Sequence, residues 1–280
     1  MGNSHHHCAR SSGRNSTRVE HQATYRRQRT QRRKSVNVTA LYSSDFDSPH
    51  VAVVPLGSWE QHGPHLPLNT DTIIAETLCE RALDTISDKR ILRLPSVNYS
   101  ASDEHRGFAG TSSIGSDTAE RTFTLIARSL SENSVHLCGV IFVNGHGGNV
   151  PSMQSSSSAL MHHGVPHLFW SPSLDNNGDL HAGLVETSVM LAINSVHVRS
   201  DRLTAGVVGD ARSLISEMRE HGVHHVSPNG VIGDASSADA TYGNDVLARW
   251  TTDLVHTIRS CMATWLADVS EDSRSATPSP

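Results

Sequence analysis

Two apolar runs, at residues 51–56 and 139–143, constrain the fold of this chain most strongly. Both are short and almost free of polar side chains, which is typical of strands that are buried on both faces of a parallel sheet. Further strands are predicted at residues 90–95 and 165–170. Helices are predicted at residues 72–87, 117–132, 150–163, 184–193 and 238–266. This alternation indicates one α/β domain, a three-layer αβα sandwich with a mainly parallel central sheet.

Polar residues with metal-binding side chains follow the predicted strands. The candidates are Glu60, His62 and Asp71 after the first run, His146 after the second, and His181 and Glu186 at the start of the helix 184–193. Because parallel strands end at the same edge of a sheet, these loops can converge. Glu, His and Asp are ligands that Zn²⁺, Mn²⁺ and Fe²⁺ accept. We therefore expect a metal site at this edge.

Each candidate also has a simpler structural interpretation. Asp71 could cap the helix that follows it, and His146 could be a turn residue between glycines. Glu186 could be a solvated acid that favours the helix dipole, and His181 could be a surface residue beside the same helix. The candidates therefore carry more weight as a set than one by one.

Five motifs, in order, resemble the signature of the creatininase family. The first is Gly-Ser-Trp-Glu-Gln-His-Gly-Pro-His-Leu-Pro at residues 57–67, followed by Asp71. The others are Glu104-His105 with residues 108–111, residues 143–149, residues 181–183 with 186–188, and residues 229–234. The resemblance covers roughly residues 50–266.

The resemblance implies an αβα fold, hydrolysis of non-peptide or unusual amide bonds, and two divalent metal ions (Zn, Fe or Mn) per chain. It also implies a homo-oligomer, often a hexamer. Carried over to this sequence, Glu60, Asp71 and His146 would hold one ion. His62 and Asp71 would hold the other, so that Asp71 bridges the two, and Glu186 would support the second ion or its water.

The resemblance also implies catalytic and substrate-binding roles. His181 would handle a proton at the scissile amide, and Glu186 would support the catalytic water. Glu104 and His105 lie in a loop that is too long for a plain connection. We expect these two residues at the rim of the pocket, where they would bind substrate.

Residues 147 and 148 depart from the pattern of creatininases proper, in which Tyr-Glu is expected after the histidine. Glycine at both positions argues against creatinine as substrate and leaves the second ion short of a carboxylate. Within the family, the chain most resembles the mycofactocin-system branch. That branch implies a peptidase that releases a Val-Tyr-derived C-terminal dipeptide from a modified precursor peptide. The alternatives are a creatinine amidohydrolase, a formamide hydrolase of flavin or deazaflavin biosynthesis, and a non-catalytic metal- or ligand-binding member.

Charge divides the chain into a basic leader and an acidic remainder. Of 23 Lys/Arg and 28 Asp/Glu, nine basic residues and one acid lie within residues 1–40. We expect a disordered basic tail over residues 1–45, the catalytic domain over 46–268, and a second disordered tail over 269–280. The role of the basic leader, as a plain tail, a transit peptide or an arm for anionic surfaces, stays open.

The expected partner is a small molecule or a modified peptide. An acidic domain disfavours nucleic acid, and no apolar stretch approaches the ~20 residues that span a bilayer. The four cysteines are scattered and form no CxxC motif, which is typical of a reducing compartment. We therefore expect a cytoplasmic protein.

Overall fold

The computed structural model describes residue 2, residues 40–173 and residues 179–275, with side chains as far as residue 267. The strands of this part are β1 (His50–Leu56), β2 (Ile91–Arg93), β3 (Leu137–Asn144) and β4 (His167–Trp170). Its α-helices are α1 (Thr70–Ile86), α2 (Ser116–Asn133), α3 (Val150–His162), α4 (Leu184–Asn194), α5 (Ala211–His221), α6 (Val223–Val226) and α7 (Ala240–Ser275).

The strands form one parallel sheet in the order β2-β1-β3-β4. In the middle of the sheet, Val53 of β1 lies opposite Arg93 of β2 on one side and Ile141 of β3 on the other. All seven residues of β1 are buried. Because every strand runs in the same direction, the carboxyl ends of β1 and β3 lie side by side at one edge of the sheet.

Side chains alternate between the two faces of the sheet, and helices cover both faces. Val51, Val53 and Ile141 pack against α1, α4 and α7 in one apolar cluster. Ala52 and Phe142 face the other side and pack against α2 and α3 in a second cluster. The expected αβα sandwich is thus confirmed, and in the described residues its sheet is entirely parallel.

Prolines lie close to the ends of two strands that are shorter than predicted. The second strand was expected over residues 90–95 and ends at Arg93, two residues before Pro95. The fourth was expected from residue 165 and begins at His167, immediately after Pro166. Proline has no N–H to donate to a strand ladder, which favours strand ends at these two sites, whereas Pro55 is accommodated inside β1, where its carbonyl accepts from Val97 N.

The segment between α4 and α7 was given no element by the sequence pattern, yet it forms α5 and α6. Of the residues of α5, Leu214 is the buried one. It joins a small third cluster with Val223 and Ile232, separate from the two sheet faces. Leu214, Ile215 and Met218 have helical spacing, a pattern that the sequence-based prediction did not use.

The predicted tails lie mostly outside the described residues, and their disorder remains a prediction. Where they are described, they have regular structure: Ser43–Phe46 forms a 3₁₀ turn, and α7 continues to Ser275, beyond the predicted helix end at residue 266. Among the described residues, no helix has the length and apolar character needed to cross a membrane.

Candidate metal centre

The loop after β1 places three of the candidate residues at the edge of the sheet. Its start is pinned against α1, because a Cβ on Gly57 would overlap the Thr72 side chain and main chain. Glu60 and His62 then point inward together, and both are fully buried. Glycine is needed at position 57, because the loop and the helix approach each other closely there.

Asp71 lies within the first turn of α1, whose N-cap residue is Asn69. Asp71 is therefore not the N-cap residue that the sequence offered as an alternative. Its carboxylate instead faces two imidazoles: Oδ1 is 3.1 Å from His62 Nε2, and Oδ2 is 3.1 Å from His146 Nδ1. Ser58 Oγ donates to Oδ2 at 2.6 Å and fixes the orientation of the carboxylate.

His146 follows β3 and is held by two asparagines. Asn144 Nδ2 donates to the His146 carbonyl at 2.7 Å, and its Oδ1 accepts from His146 N at 3.2 Å. Asn149 Nδ2 in turn donates to Asn144 Oδ1 at 3.0 Å. Sequence reasoning did not identify these asparagines, although a polar residue at the end of a buried strand is a usable signal.

Glu60 is the residue that best fits a bound cation. His105 Nε2 and His146 Nε2 each lie 3.2 Å from one of its oxygens, but neither oxygen has a hydrogen bond of acceptable geometry. A fully buried carboxylate without such partners is costly. A bound cation would supply the partner that this carboxylate lacks.

Gln61, which sequence reasoning also missed, sets the orientation of two histidines. Its Oε1 accepts from Gly63 N at 2.8 Å, so the amide nitrogen must point the other way. That Nε2 donates to His105 Nδ1 at 2.8 Å, which leaves the His105 proton on Nε2. His181 Nε2 donates to the Gln61 carbonyl at 2.8 Å, so His181 Nδ1 carries the lone pair. Its position between Glu60 and His62 was the available sequence signal.

His181 and Glu186 complete the group. His181 Nδ1 is 3.8 Å from Glu60 Oε1, and Glu186 Oε2 is 4.0 Å from His62 Nε2. Glu186 Oε2 also accepts from Ala182 N at 2.6 Å, which fixes it at the start of α4. The surface position that the sequence offered for His181 is therefore wrong, because that residue is 6% exposed.

Ligand atoms converge here in several combinations. Three groups of side chains each place their potential ligand atoms within 4.8 Å of one another. They are Glu60–His62–Asp71, Glu60–His105–His181 and His62–His181–Glu186. These groups contain His105 and five of the six residues that the sequence proposed as metal ligands or catalysts. The sixth, His146, lies 3.2 Å from a Glu60 oxygen and 3.1 Å from an Asp71 oxygen, so the centre as a whole could hold divalent cations.

Burial and charge act against each other on the titratable groups of the centre. Burial raises the pKa of Glu60 to about 8 and that of Glu186 to about 7. Burial also disfavours the charged form of His62, but the Asp71 carboxylate outweighs it and raises the His62 pKa to about 10. Burial and two neighbouring imidazoles hold the pKa of His181 well below its usual range. In the absence of a cation, protons on imidazoles compensate the carboxylates; a metal ion would displace those protons.

The long loop at residues 99–111 brings Glu104 and His105 to the centre in different ways. Glu104 lines the cavity and its side chain is 20% exposed, close to the predicted rim position. His105 was also expected at the rim, and that position is wrong: it is 1% exposed and reaches Glu60 in the interior. The loop turns sharply at Asp103–His105, which points successive side chains in different directions.

A cavity of about 890 Å³ opens above the centre. Glu60, Asp71 and His146 lie at its floor, and the 3₁₀ turn Asp103–His105 and α5 form its walls. Apolar side chains of the wall include Val150, Leu180, Ile215 and Met218. The site can therefore accommodate a molecule much larger than a single small ring.

Comparison with known proteins gives a consistent result. A family model described as creatininase, creatinine amidohydrolase, matches residues 40–258. A protein of Mycobacterium ulcerans (strain Agy99), named mycofactocin precursor peptide peptidase, is 41% identical over 213 residues, covering 74% of this chain and 83% of that protein. A creatinine amidohydrolase of Pseudomonas putida is 26% identical over 203 residues, covering 61% and 76%. A solved structure, creatininase Mn, has a TM-score of 0.61 at 21% identity, covering 81% of this chain and 98% of that chain.

The parallel sheet and the family model together define a hydrolase built as an αβα sandwich. The chain belongs to the creatininase family. The resemblance of the five sequence motifs to this family is thus confirmed.

Proposed function

We propose that this protein is a metal-dependent peptidase that cleaves an amide bond near the C-terminus of a modified precursor peptide. Its substrate would be of the mycofactocin type, with release of a Val-Tyr-derived dipeptide. The relative named for this activity is 41% identical, against 26% for the creatinine amidohydrolase. The volume of the cavity supports a peptide, since a small ring would fill only a fraction of 890 Å³.

Glu60, Asp71 and His146 would hold one divalent ion, and His62, Asp71 and Glu186 the second. The observation that carries this assignment is the fully buried Glu60 carboxylate, whose oxygens have no hydrogen-bond partner. Bound divalent ions would supply Lewis-acid activation of water and of the amide carbonyl. A manganese form exists among the solved relatives, but the ligand set also accepts Zn²⁺ and Fe²⁺.

His181 would move the proton that amide hydrolysis requires. Its Nε2 is committed to the Gln61 carbonyl, so Nδ1 is the nitrogen that faces the centre and can accept a proton. The amine is a poor leaving group, and the same Nδ1 can return the proton to the amide nitrogen as the bond breaks. Glu186 would orient the attacking water.

The experiment compares three substrates with the purified, metal-loaded enzyme. We expect release of a dipeptide from a modified precursor peptide, detected by mass spectrometry, and no turnover of creatinine or of a formamide. Release of formate with the peptide left intact would favour the formamide hydrolase instead. No turnover of any substrate by a protein that binds metal would favour a non-catalytic member.

Further features of the family are also carried over as proposals. We infer a homo-oligomer, a hexamer by resemblance, and a cytoplasmic location. The cysteines of the described residues, Cys79, Cys138 and Cys261, are all free thiols, which suits a reducing compartment. Light scattering of the purified protein and fractionation of cells would test these two points.

A further inference from the structure

Glu104 approaches the centre from a different loop than the other carboxylates. It belongs to the 3₁₀ turn Asp103–His105, and its Oε1 lies 3.8 Å from His146 Nε2. Glu60 Oε2 lies 3.2 Å from the same nitrogen. Two carboxylates therefore converge on one edge of a single buried imidazole.

The Nε2 proton of His146 is already used in a hydrogen bond to the main chain. His146 Nε2 lies 2.6 Å from the Ala101 carbonyl, which can only accept, so Nε2 donates there. Neither oxygen of the fully buried Glu60 has a hydrogen-bond partner. A cation held between the two carboxylates would give the buried Glu60 oxygens the partner that they lack.

Gly148 is the reason that Glu104 can come so close. A Cβ at position 148 would overlap both Glu104 Oε1 and His146 Nε2, and would lie 2.9 Å from the Ala101 carbonyl. A Cβ on the adjacent Gly147 would have no heavy atom within 4 Å. The space at position 148 is therefore filled by the carboxylate of another loop, whereas the space at 147 is open.

We propose that Glu104 is a ligand of a divalent cation that it shares with Glu60, and that Gly148 provides the opening through which it reaches that cation. The inference rests on the proposed metal dependence, and it changes the role that the sequence suggested for Glu104, from binding substrate to binding metal. A carboxylate oxygen is a ligand that Zn²⁺, Mn²⁺ and Fe²⁺ all accept.

The test measures Zn²⁺ binding by the full-length protein, without any substrate. Stripped protein is reloaded with Zn²⁺, the ion content is measured by mass spectrometry, and affinity is measured by competition with a chelating dye. Glu104→Gln keeps the shape of the side chain and removes its charge, and Glu104→Asp keeps the charge and shortens the reach. Asp103→Asn is the matched control, since it removes a carboxylate from the same turn that pairs with Arg106 instead.

We expect both Glu104 variants to bind Zn²⁺ on the order of 10- to 100-fold more weakly, and Asp103→Asn to bind like wild type. Gly148→Ala should weaken binding as well, because its methyl group displaces both Glu104 and the His146 imidazole. Circular dichroism confirms that each variant is folded.

Wild-type affinity and ion content in both Glu104 variants, with loss of metal in Asp71→Ala, would overturn the role of Glu104 and leave the metal-dependent function standing. Equal weakening in Glu104→Gln and Asp103→Asn would also overturn it, because the effect would then be one of net charge. Undiminished metal content in Asp71→Ala would instead contradict the proposed function.

Discussion

The floor and the wall of the cavity are built in different ways. On the floor, Glu60, Asp71 and His146 follow the two central strands, and each is at most 5% exposed. The wall is formed mainly by the 3₁₀ turn Asp103–His105 and by α5. Helix α5 is anchored through a buried cluster of three residues around Leu214. The floor is thus part of the main core, whereas the wall is attached to it by a small secondary cluster.

From this difference we infer that the residues for metal binding and catalysis are separate from the residues that select the substrate. The sheet edge holds the proposed metal ligands in fixed positions, because β1 and β3, which lead to them, are almost entirely buried. The wall can change its side chains at little cost to the fold, since few of them are buried. Substitutions on the floor should therefore affect catalysis and metal binding, and substitutions on α5 should affect substrate affinity, whereas Glu104 and His105 of the 3₁₀ turn reach the centre itself.

The largest effect is expected from Asp71→Ala on the floor. Both oxygens of Asp71 face imidazoles of the centre, so its loss should release metal and lower kcat/KM on the order of a thousandfold or more. Ion content and kcat/KM on the precursor peptide are the measurements. Asp245→Ala, on the exposed side of α7, is the matched control and should leave both quantities unchanged.

His181→Ala should lower kcat with less effect on metal content. Removal of a proton carrier costs about a hundredfold or more in kcat, and the other ligands of the centre remain. His256→Ala removes an exposed histidine of α7 and should have no effect. If His181→Ala instead lost its metal, His181 would be a ligand, as the grouping of its Nδ1 with Glu60 and His105 allows.

The same contrast explains what the sequence predicted and what it did not. The floor was identified from local patterns, because a polar loop after an apolar run marks the edge of a parallel sheet. The inward position of His105 was not predicted, because it depends on the sharp 3₁₀ turn at residues 103–105. Helix α5 was missed because most of its residues are polar, although its few apolar side chains have helical spacing. Contacts such as Gln61 with His105 and His181 join residues 44 and 120 positions apart, which no local pattern reports.

On the wall, Ile215→Ala should change affinity more than turnover. Ile215 lines the cavity and is 37% exposed, so truncation removes an apolar contact with substrate and little core packing. We expect KM for the precursor peptide to rise about tenfold, the value of a small apolar contact, with kcat nearly unchanged. Leu125→Ala, on α2 and also partly exposed, is the control away from the cavity. A fall in kcat equal to that of His181→Ala would break the division between floor and wall.

The smallest effect is expected at the start of α4, the helix that carries Glu186. Asp179 accepts hydrogen bonds from Leu184 N at 3.1 Å and from Val185 N at 2.6 Å, and so satisfies two main-chain donors of the first turn. Asp179→Ala should lower the free energy of unfolding by about 1 kcal/mol, as loss of a helix cap does. Urea denaturation measures that change, and Asp201→Ala in the exposed 3₁₀ turn Ser200–Arg202 is the control. Because α4 also carries Glu186, a loss of metal in Asp179→Ala beyond that small loss of stability would show that the floor depends on this cap as well as on the sheet.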